Sequence, residues 1–389
     1  MKYDFDCVID RTGTNSAKWD GRLAAYGDED VLPMPVADMD FLCPPAVVEA
    51  IKKRAEHGIF GYALKPPTYY EAIINWMQRR HGWQLEKDWL THCSGVVPGL
   101  KLAVLAFSQP GDKIIVQSPV YFPFFNVIRN NGRQIVDSPL KVENGRYSMD
   151  FEDLEKRFDS RVKMLILCNP NNPTGNVWPK EDLVRIGELC LKHDVILVSD
   201  EIHSDLVYTG AKHTPTASIS AEFARNTVTF IAPSKTFNLP GLSTSVAIIP
   251  NPRLISLYEN MSQNVGGGAN IFGMVGLEAA YRYGEDWLEQ LLVYLEGNVS
   301  FLDNFIRERI PRIEFHRPQA TYLMWLDCRG IGVEPARVRE FMIKRARVGL
   351  NDGATFGPGG VGFVRMNIAC PRSVLLEGLT RIENALAQP

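Results

Sequence analysis

The sequence predicts an α/β protein with a three-layer αβα architecture around a mostly parallel sheet, plus a smaller α+β domain. Four short apolar runs, at residues 113–116, 162–167, 195–199 and 227–231, have the length and bounding turns of strands. Each run is almost continuously apolar, which is typical of parallel strands that helices cover on both faces. Between the second and third runs, residues 181–190 carry apolar side chains at helical spacing, as a crossover helix requires.

The pattern changes near residue 285, and this change predicts the domain division. A long amphipathic helix over 287–309 leads to strand-like segments at 321–326 and 363–368, with a glycine-rich turn at 356–360 before the second of them. With 389 residues, the chain exceeds the usual size of one compact domain. We therefore expect a large domain over 45–283 and a small domain formed by 1–44 and 284–389.

Composition excludes several classes of function. Hydrophobic residues make up 45% and charged residues 22%, and the net charge of -3 is too small to indicate a nucleic-acid or membrane-surface partner. No stretch approaches the roughly 18 apolar residues of a membrane span, and the N-terminus lacks a signal-peptide pattern. The seven cysteines include no C-x-x-C pair, which favours reduced thiols over a metal site. We expect a cytoplasmic protein that acts on a small molecule.

Four polar segments follow predicted strands, at the edge where open parallel sheets bind ligands. They are residues 94–100, a glycine-containing turn before an apolar helix; 169–175, with three asparagines and two prolines; 199–205, with three acids and a histidine; and 232–242, which contains Lys235. Each alone has an ordinary structural interpretation, as a strand-to-helix turn, a rigid turn, a helix cap or a surface lysine. Their joint occurrence, however, indicates a ligand site, because buried acids need a cationic counterpart.

In this order, the four segments resemble those of fold-type I pyridoxal-phosphate enzymes. Residues 37–41, 60–62, 199–203 and 364–372 are further similar to the MalY/PatB-like cystathionine β-lyases, a carbon–sulfur lyase subgroup of the class I/II aminotransferase superfamily. The resemblance runs from Asp6 to the C-terminal helix. It implies the type I pyridoxal-phosphate transferase fold and pyridoxal 5'-phosphate as cofactor.

The resemblance also implies a role for individual residues. Lys235 matches the lysine that forms an imine with the cofactor and then takes the substrate Cα proton, Asp200 the carboxylate that holds the proton of the pyridine nitrogen, and Asn172 the partner of the phenolic oxygen. Arg365 matches the arginine that binds the substrate carboxylate. The remaining implied cofactor contacts are His203, Tyr121, the backbone of Gly95 and Val96, the Ser234 hydroxyl, and Tyr62 supplied by a second subunit.

Some positions keep an alternative or depart from the wider family. Tyr121 lies in an aromatic-rich segment, so a core tyrosine is the lesser alternative to a residue that stacks on the cofactor ring. His203 stands where many aminotransferases carry tyrosine, Ser243 where they carry a phosphate-binding arginine, and Ala232 where a hydroxyl residue is common. The groups that complete the phosphate site are therefore left open, as are the residues that select the substrate side chain, expected around Tyr62 and residues 266–270.

The implied reaction is β-elimination from cystathionine or a related cysteine thioether, which yields a thiol, pyruvate and ammonia. The alternative is amino transfer between an amino acid and a 2-keto acid, since both reactions use the same site residues. The resemblance further implies a homodimer with shared active sites, and some subgroup members also bind a regulatory protein. A catalytically silent α/β protein is a third possibility.

Overall fold

A computed structural model describes residues 3–143, 145–265 and 268–388. The described α-helices are α1 (Arg22–Tyr26), α2 (Pro45–Glu56), α3 (Pro67–His81), α4 (Val96–Phe107), α5 (Pro123–Arg129), α6 (Phe151–Lys156), α7 (Lys180–Lys192), α8 (Ala221–Asn226), α9 (Pro233–Thr236), α10 (Pro252–Val265), α11 (Ile271–Tyr283), α12 (Glu285–Arg309), α13 (Val338–Lys344) and α14 (Arg372–Ala387). The strands are β1 (Leu32–Pro33), β2 (Leu90–Cys93), β3 (Lys113–Val116), β4 (Gln134–Asp137), β5 (Lys141–Glu143), β6 (Arg146–Ser148), β7 (Val162–Cys168), β8 (Ile196–Asp200), β9 (Thr227–Ile231), β10 (Ser245–Ile248), β11 (Glu314–Phe315), β12 (Leu323–Asp327), β13 (Val348–Gly349), β14 (Asn351–Asp352) and β15 (Phe363–Asn367).

The central sheet has seven strands in the order β2-β10-β9-β8-β7-β3-β4. Strand β10 runs antiparallel to both of its neighbours, and every other pairing in this sheet is parallel. Because β2 and β9 are both antiparallel to β10, they point the same way. The carboxyl ends of β2, β9, β8, β7 and β3 therefore lie along one edge, which is where the four polar segments begin.

Helices cover the sheet on both faces, as the apolar runs predict. Along β7, Met164 and Ile166 belong to one buried cluster together with residues of α4, while Leu165 and Leu167 belong to another together with residues of α7. This alternation follows the two-residue repeat of a strand. Helix α4 approaches the sheet closely at Gly99, where an added Cβ would lie 2.5 Å from the Phe230 ring. The predicted fold class is confirmed.

A second sheet, of four strands in the order β11-β12-β15-β14, lies in the C-terminal part of the chain. The N-terminal residues join this part, since β1 pairs in parallel with β13 and the backbone N–H of Asn367 donates to the carbonyl of Met34. These contacts agree with the predicted small domain, although the boundaries at 44/45 and 283/284 stay a prediction.

Some boundaries and strands differ from the sequence prediction. The expected strand at 321–326 begins at Leu323 instead, because Thr321 has a left-handed backbone with φ of +71°. The glycine-rich turn at 356–360 contains short 3₁₀ helices on either side of Gly357, whose φ is +126°. No apolar run predicts strands β2, β4 and β10, and β2 is expected only because the polar segment at 94–100 is assigned to the end of a strand. They are four residues long, and buried polar residues such as His92 and Thr91 interrupt the apolar pattern of β2.

Candidate active site

A cavity of about 200 Å³ opens at the carboxyl edge of the central sheet. Eight of the ten predicted site residues line it, although they come from five separate stretches of the chain: Gly95, Val96, Tyr121, Asn172, Asp200, His203, Ser234 and Lys235. Arg365 contacts the lining residue Asn172 but does not itself line the cavity, and neither does Tyr62. The parallel strands bring these residues together because each predicted polar segment starts where its strand ends.

Lys235 presents its amine to this cavity. The residue lies in the short helix α9 directly after β9, and its Nζ donates to the carbonyl oxygen of Ala37 at 2.6 Å. Burial, followed by the nearby Arg365 guanidinium, lowers the pKa of Lys235 to about 8. An amine with so low a pKa loses its proton more readily than a surface lysine does, as both imine formation and proton abstraction require.

Asp200 ends β8 and is 3% exposed. Its Oδ1 accepts from the backbone N–H of Ile202 at 3.1 Å. Burial raises the pKa of Asp200 to about 7, because an enclosed carboxylate is poorly solvated. A cationic group in the cavity would restore its charge, so this acid suits a partner that carries a proton.

The other two acids of the predicted cluster have protein partners. Glu201 accepts from His213 Nε2 at 2.9 Å and from the backbone N–H of Thr216 at 3.0 Å. Asp205 accepts from the Thr236 hydroxyl at 2.8 Å and lies 2.9 Å from His81 Nε2. Of the three acids, Glu201 and Asp205 therefore have structural roles and do not line the cavity, whereas Asp200 does.

Asn172 and Arg365 contact each other. Arg365 Nη1 donates to Asn172 Oδ1 at 2.9 Å, and its Nη2 donates to Asn351 Oδ1 at 2.7 Å and to the carbonyl of Pro35 at 3.0 Å. Because Oδ1 of Asn172 is occupied, its Nδ2 is left as the donor toward the cavity. Desolvation lowers the pKa of Arg365 to about 10, so this buried guanidinium remains a cation at neutral pH.

His203 and Tyr121 supply rings to the cavity wall. His203 is 2% exposed, and its Nδ1 has no hydrogen-bond partner among the described residues. Burial, with the charge of Lys235, lowers the pKa of His203 to about 3, so the imidazole stays neutral. Tyr121 is partly buried and contacts Phe122 and Phe124, yet it also faces the cavity. The alternative of a purely core tyrosine therefore loses support.

The start of α4 forms one end of the cavity. Gly95 precedes the helix with φ of +153°, and Val96 is its first residue. Unpaired backbone N–H groups at a helix start favour an anion. Ser234, Ser243 and Thr244 line the same cavity, so Ser243 is near the predicted phosphate end even though it is not an arginine. Ala232 is buried and is not among the lining residues.

Tyr62 is fully exposed and does not reach the cavity of its own chain. It lies in the segment between α2 and α3. Of the segment expected to select the substrate side chain, Gly266 and Gly267 lie outside the described residues.

Sequence analysis assigned no role to a segment that reaches the cavity through Ala37. We call residues 35–41 the strap. Asn367 Nδ2 donates to the carbonyls of Val36 and Asp38, each at 2.6 Å, and Asn238 Nδ2 donates to those of Met39 and Phe41 at 3.0 and 2.8 Å. The sequence did contain a signal for these contacts. Residues 37–41 belong to the subgroup motif, and both asparagines lie within three positions of Lys235 or Arg365.

Comparison with known proteins identifies the family. The family model for class I and II aminotransferases matches residues 29–382. The chain belongs to the class I and II aminotransferase family. Within this family, it is 46% identical to the cystathionine beta-lyase PatB of Bacillus subtilis over 386 residues, covering 99% of this chain and 100% of PatB. It is also 31% identical to the protein MalY of Escherichia coli, with 99% of each chain covered.

A solved structure agrees with this placement in the class I and II aminotransferase family. Cystalysin from Treponema denticola, whose structure contains pyridoxal 5'-phosphate, superposes with a TM-score of 0.96 at 37% identity, with 99% of each chain covered. The expected subgroup and the expected type I transferase fold are both confirmed.

The cavity of this aminotransferase family member has the donors and acceptors that pyridoxal phosphate needs. It combines an amine of lowered pKa at Lys235, an enclosed acid of raised pKa at Asp200, an amide donor at Asn172 and a helix start suited to an anion at Gly95. These groups match, in turn, an aldehyde, a protonated ring nitrogen, a phenolic oxygen and a phosphate.

The described part of the chain contains no group of three or more histidine, cysteine, aspartate or glutamate side chains arranged to hold a metal ion. Likewise, no described helix is long and apolar enough to cross a membrane.

Proposed function

We propose that this chain is a pyridoxal-phosphate-dependent carbon–sulfur β-lyase that cleaves cystathionine or related cysteine thioethers to a thiol, pyruvate and ammonia. The observation that carries the proposal is the Lys235 amine, which faces a single cavity together with Asp200, Asn172 and the start of α4. The full-length similarity to the cystathionine beta-lyase PatB favours elimination over amino transfer.

The cofactor would supply an aldehyde that binds amines and a ring that accepts the electrons left at the substrate Cα. Lys235 would hold the cofactor and, once released, its Nζ would take the proton from Cα. Asp200 would keep a proton on the ring nitrogen, because a cation there relieves the cost of its own buried charge. Asn172 Nδ2 would donate to the phenolic oxygen, and His203 and Tyr121 would enclose the ring.

Arg365 would bind the substrate carboxylate. Its guanidinium is held by Asn172, Asn351 and the carbonyl of Pro35, so it is already oriented before a substrate arrives. A planar, permanently charged fork fits a carboxylate with two hydrogen bonds. Gly95, Val96 and Ser234 would bind the phosphate, with Ser243 and Thr244 as further candidates on the same wall.

The active enzyme would be a homodimer with shared sites. Ile59, Phe60, Tyr62 and Leu64 are all more than half exposed in one chain. A cluster of exposed apolar residues of this kind marks an interaction surface. A second subunit that covers it would bring Tyr62 to the neighbouring cavity. We also retain a cytoplasmic location as part of the proposal, because seven free cysteines suit a reducing compartment.

The test is to incubate the purified chain, loaded with pyridoxal phosphate, with cystathionine and no keto acid. Pyruvate and free thiol formed in equal amounts over many turnovers would support the lyase. A keto acid formed in a single turnover without free thiol would instead indicate an aminotransferase. Lys235→Ala should lose both the visible absorption of the bound cofactor and the activity, whereas Lys344→Ala, which changes a largely exposed lysine on α13, should retain both.

A further inference from the structure

Asp38 lies next to the carbonyl that receives the Lys235 amine. Ala37 O accepts from Lys235 Nζ at 2.6 Å, and Asp38 is the following residue of the strap. Its Oδ2 accepts from Arg11 Nη2 at 2.7 Å. Its Oδ1 is enclosed and has no hydrogen-bond partner among the described residues, with Lys18 Nζ 3.9 Å away. Asp38 is thus paired with Arg11 and Lys18, but one of its oxygens receives no hydrogen bond from a described residue.

The strap fixes Asp38 in place. Asn367 Nδ2 binds the carbonyl of Asp38 itself and that of Val36, and Asn238 Oδ1 accepts from the N–H of Met39 at 2.9 Å. The neighbouring Asp40 differs, because Lys18, Arg11 and the Trp19 indole all donate to its carboxylate. Asp40 thus anchors the segment, whereas Asp38 keeps an oxygen without a donor.

The charged and titratable groups that face Lys235 are Arg365, Asp38, Asp200, His203 and Tyr322. Burial and then Arg365 lower the pKa of Lys235, while Asp38 and then Asp200 oppose this change. His203 is neutral, and Tyr322 donates its hydroxyl to the same Ala37 carbonyl at 3.1 Å. Of the two acids near the amine, burial raises the pKa of Asp200 to about 7, and the charge of a cofactor's ring nitrogen would offset the charge of this carboxylate. Asp38 is therefore the acid expected to act on Lys235 in either state.

We propose that Asp38 is a positioning residue for Lys235, because the strap holds its enclosed carboxylate where it favours the protonated amine and so sets the pH range over which Lys235 exchanges its proton. The inference deepens the proposed function, since it concerns the same lysine. It depends on the Asp38 charge, however, and can be measured on the full chain without cofactor.

The experiment titrates the Lys235 amine in the cofactor-free chain. Acetic anhydride labels neutral amines, so the rate of labelling at Lys235, followed by mass spectrometry as a function of pH, gives the midpoint of its titration. Four chains are compared: wild type, Asp38→Asn, Asp38→Glu and Asp159→Asn. Asp159 pairs with Lys113 at the amino end of β3, the opposite edge of the sheet, and so controls for the loss of one negative charge.

We expect Asp38→Asn to lower the midpoint by about half a pH unit or more, Asp38→Glu to restore it, and Asp159→Asn to leave it unchanged. If Asp38→Asn does not fold, Asp38→Ser removes the same charge with a smaller polar side chain. An unchanged midpoint in a folded, charge-free variant overturns the inference. The proposed function fails separately, if the wild-type chain binds no cofactor or releases no pyruvate.

Discussion

Arg365 and Asn172, 193 positions apart in the sequence, are joined by a hydrogen bond of 2.9 Å between Nη1 and Oδ1. The bond links β15 of the small sheet to the turn after β7 of the central sheet. The group proposed to bind the substrate carboxylate and the group proposed to bind the cofactor's phenolic oxygen therefore orient one another. Movement of either would misplace both.

Replacing Arg365 with lysine should separate binding from chemistry. Lysine keeps the charge but loses the planar fork and its simultaneous contacts with Asn172 and Asn351. We expect KM for cystathionine to rise about tenfold or more, a loss of about 1.4 kcal/mol or more in binding, with a smaller change in kcat. Arg329→Lys, at a mostly exposed arginine paired with Asp327, is the matched control and should leave KM unchanged.

The raised pKa of Asp200 predicts an unusual pH dependence of the stability of the cofactor-free chain. Because burial raises the pKa of Asp200 from 3.8 to about 7, its contribution to stability is complete below about pH 4 and is lost as the pH rises through about 7. Asp200→Asn cannot ionise, so this cofactor-free variant should become more stable than wild type by a few kcal/mol as the pH rises over that window.

Urea unfolding at several pH values checks the expected effect of Asp200→Asn. The same variant should bind the cofactor more weakly, which absorbance titration measures. A free-energy difference that does not change with pH between about 4 and 7 would contradict the assignment of a neutral, buried Asp200 in the cofactor-free chain.

Tyr62 provides a test of shared active sites. If each cavity uses Tyr62 of the other subunit, Lys235→Ala and Tyr62→Ala chains are each inactive or weak alone, but a mixed dimer holds one cavity with both native residues. Reassorting equal amounts of the two should restore activity to about one quarter of wild type, because half of the dimers are then mixed and each of these has one intact site. No recovery, in a mixture shown to exchange subunits, would assign Tyr62 to another role.

Asn367 should contribute strongly to stability. Its buried amide donates to two strap carbonyls, and its Oδ1 accepts from the N–H of Ala369 at 2.8 Å. Asn367→Ala leaves these groups unpaired, so we expect the free energy of unfolding to fall by about 2–4 kcal/mol. Asn131→Ala, which removes a single hydrogen bond to the Val127 carbonyl near the end of α5, should cost about 1 kcal/mol or less.

The sequence was most informative where a pattern is local. Residues 227–231 form the strand that their continuous apolar run predicts, and Lys235 follows it at the sheet edge as expected. No apolar run marks strand β2, because Thr91 and His92 are buried polar residues. Their burial depends on neighbours such as Tyr69, whose hydroxyl lies 3.3 Å from His92 Nδ1. No local pattern records that partner.

In the site, too, local motifs were predictable from the sequence and long-range contacts were not. Motifs identified the eight cavity residues one at a time and included residues 37–41, but they did not predict the contacts of the strap. The contact of Asn367 with Val36, for example, spans 331 positions and arises only in the folded chain. Nor could the motif around Asp200 show that Glu201 and Asp205 are satisfied by His213 and His81.

The strap also has a consequence for the order in which the protein is made. Residues 35–41 leave the ribosome early, yet the amide groups that fasten them are synthesised about 200 and 330 residues later, at Asn238 and Asn367. During translation the nascent chain can build the central sheet while the strap beside its cavity is still unattached. The strap is therefore fastened only after Asn367 has emerged and the residues around it have folded back onto residues 36–38.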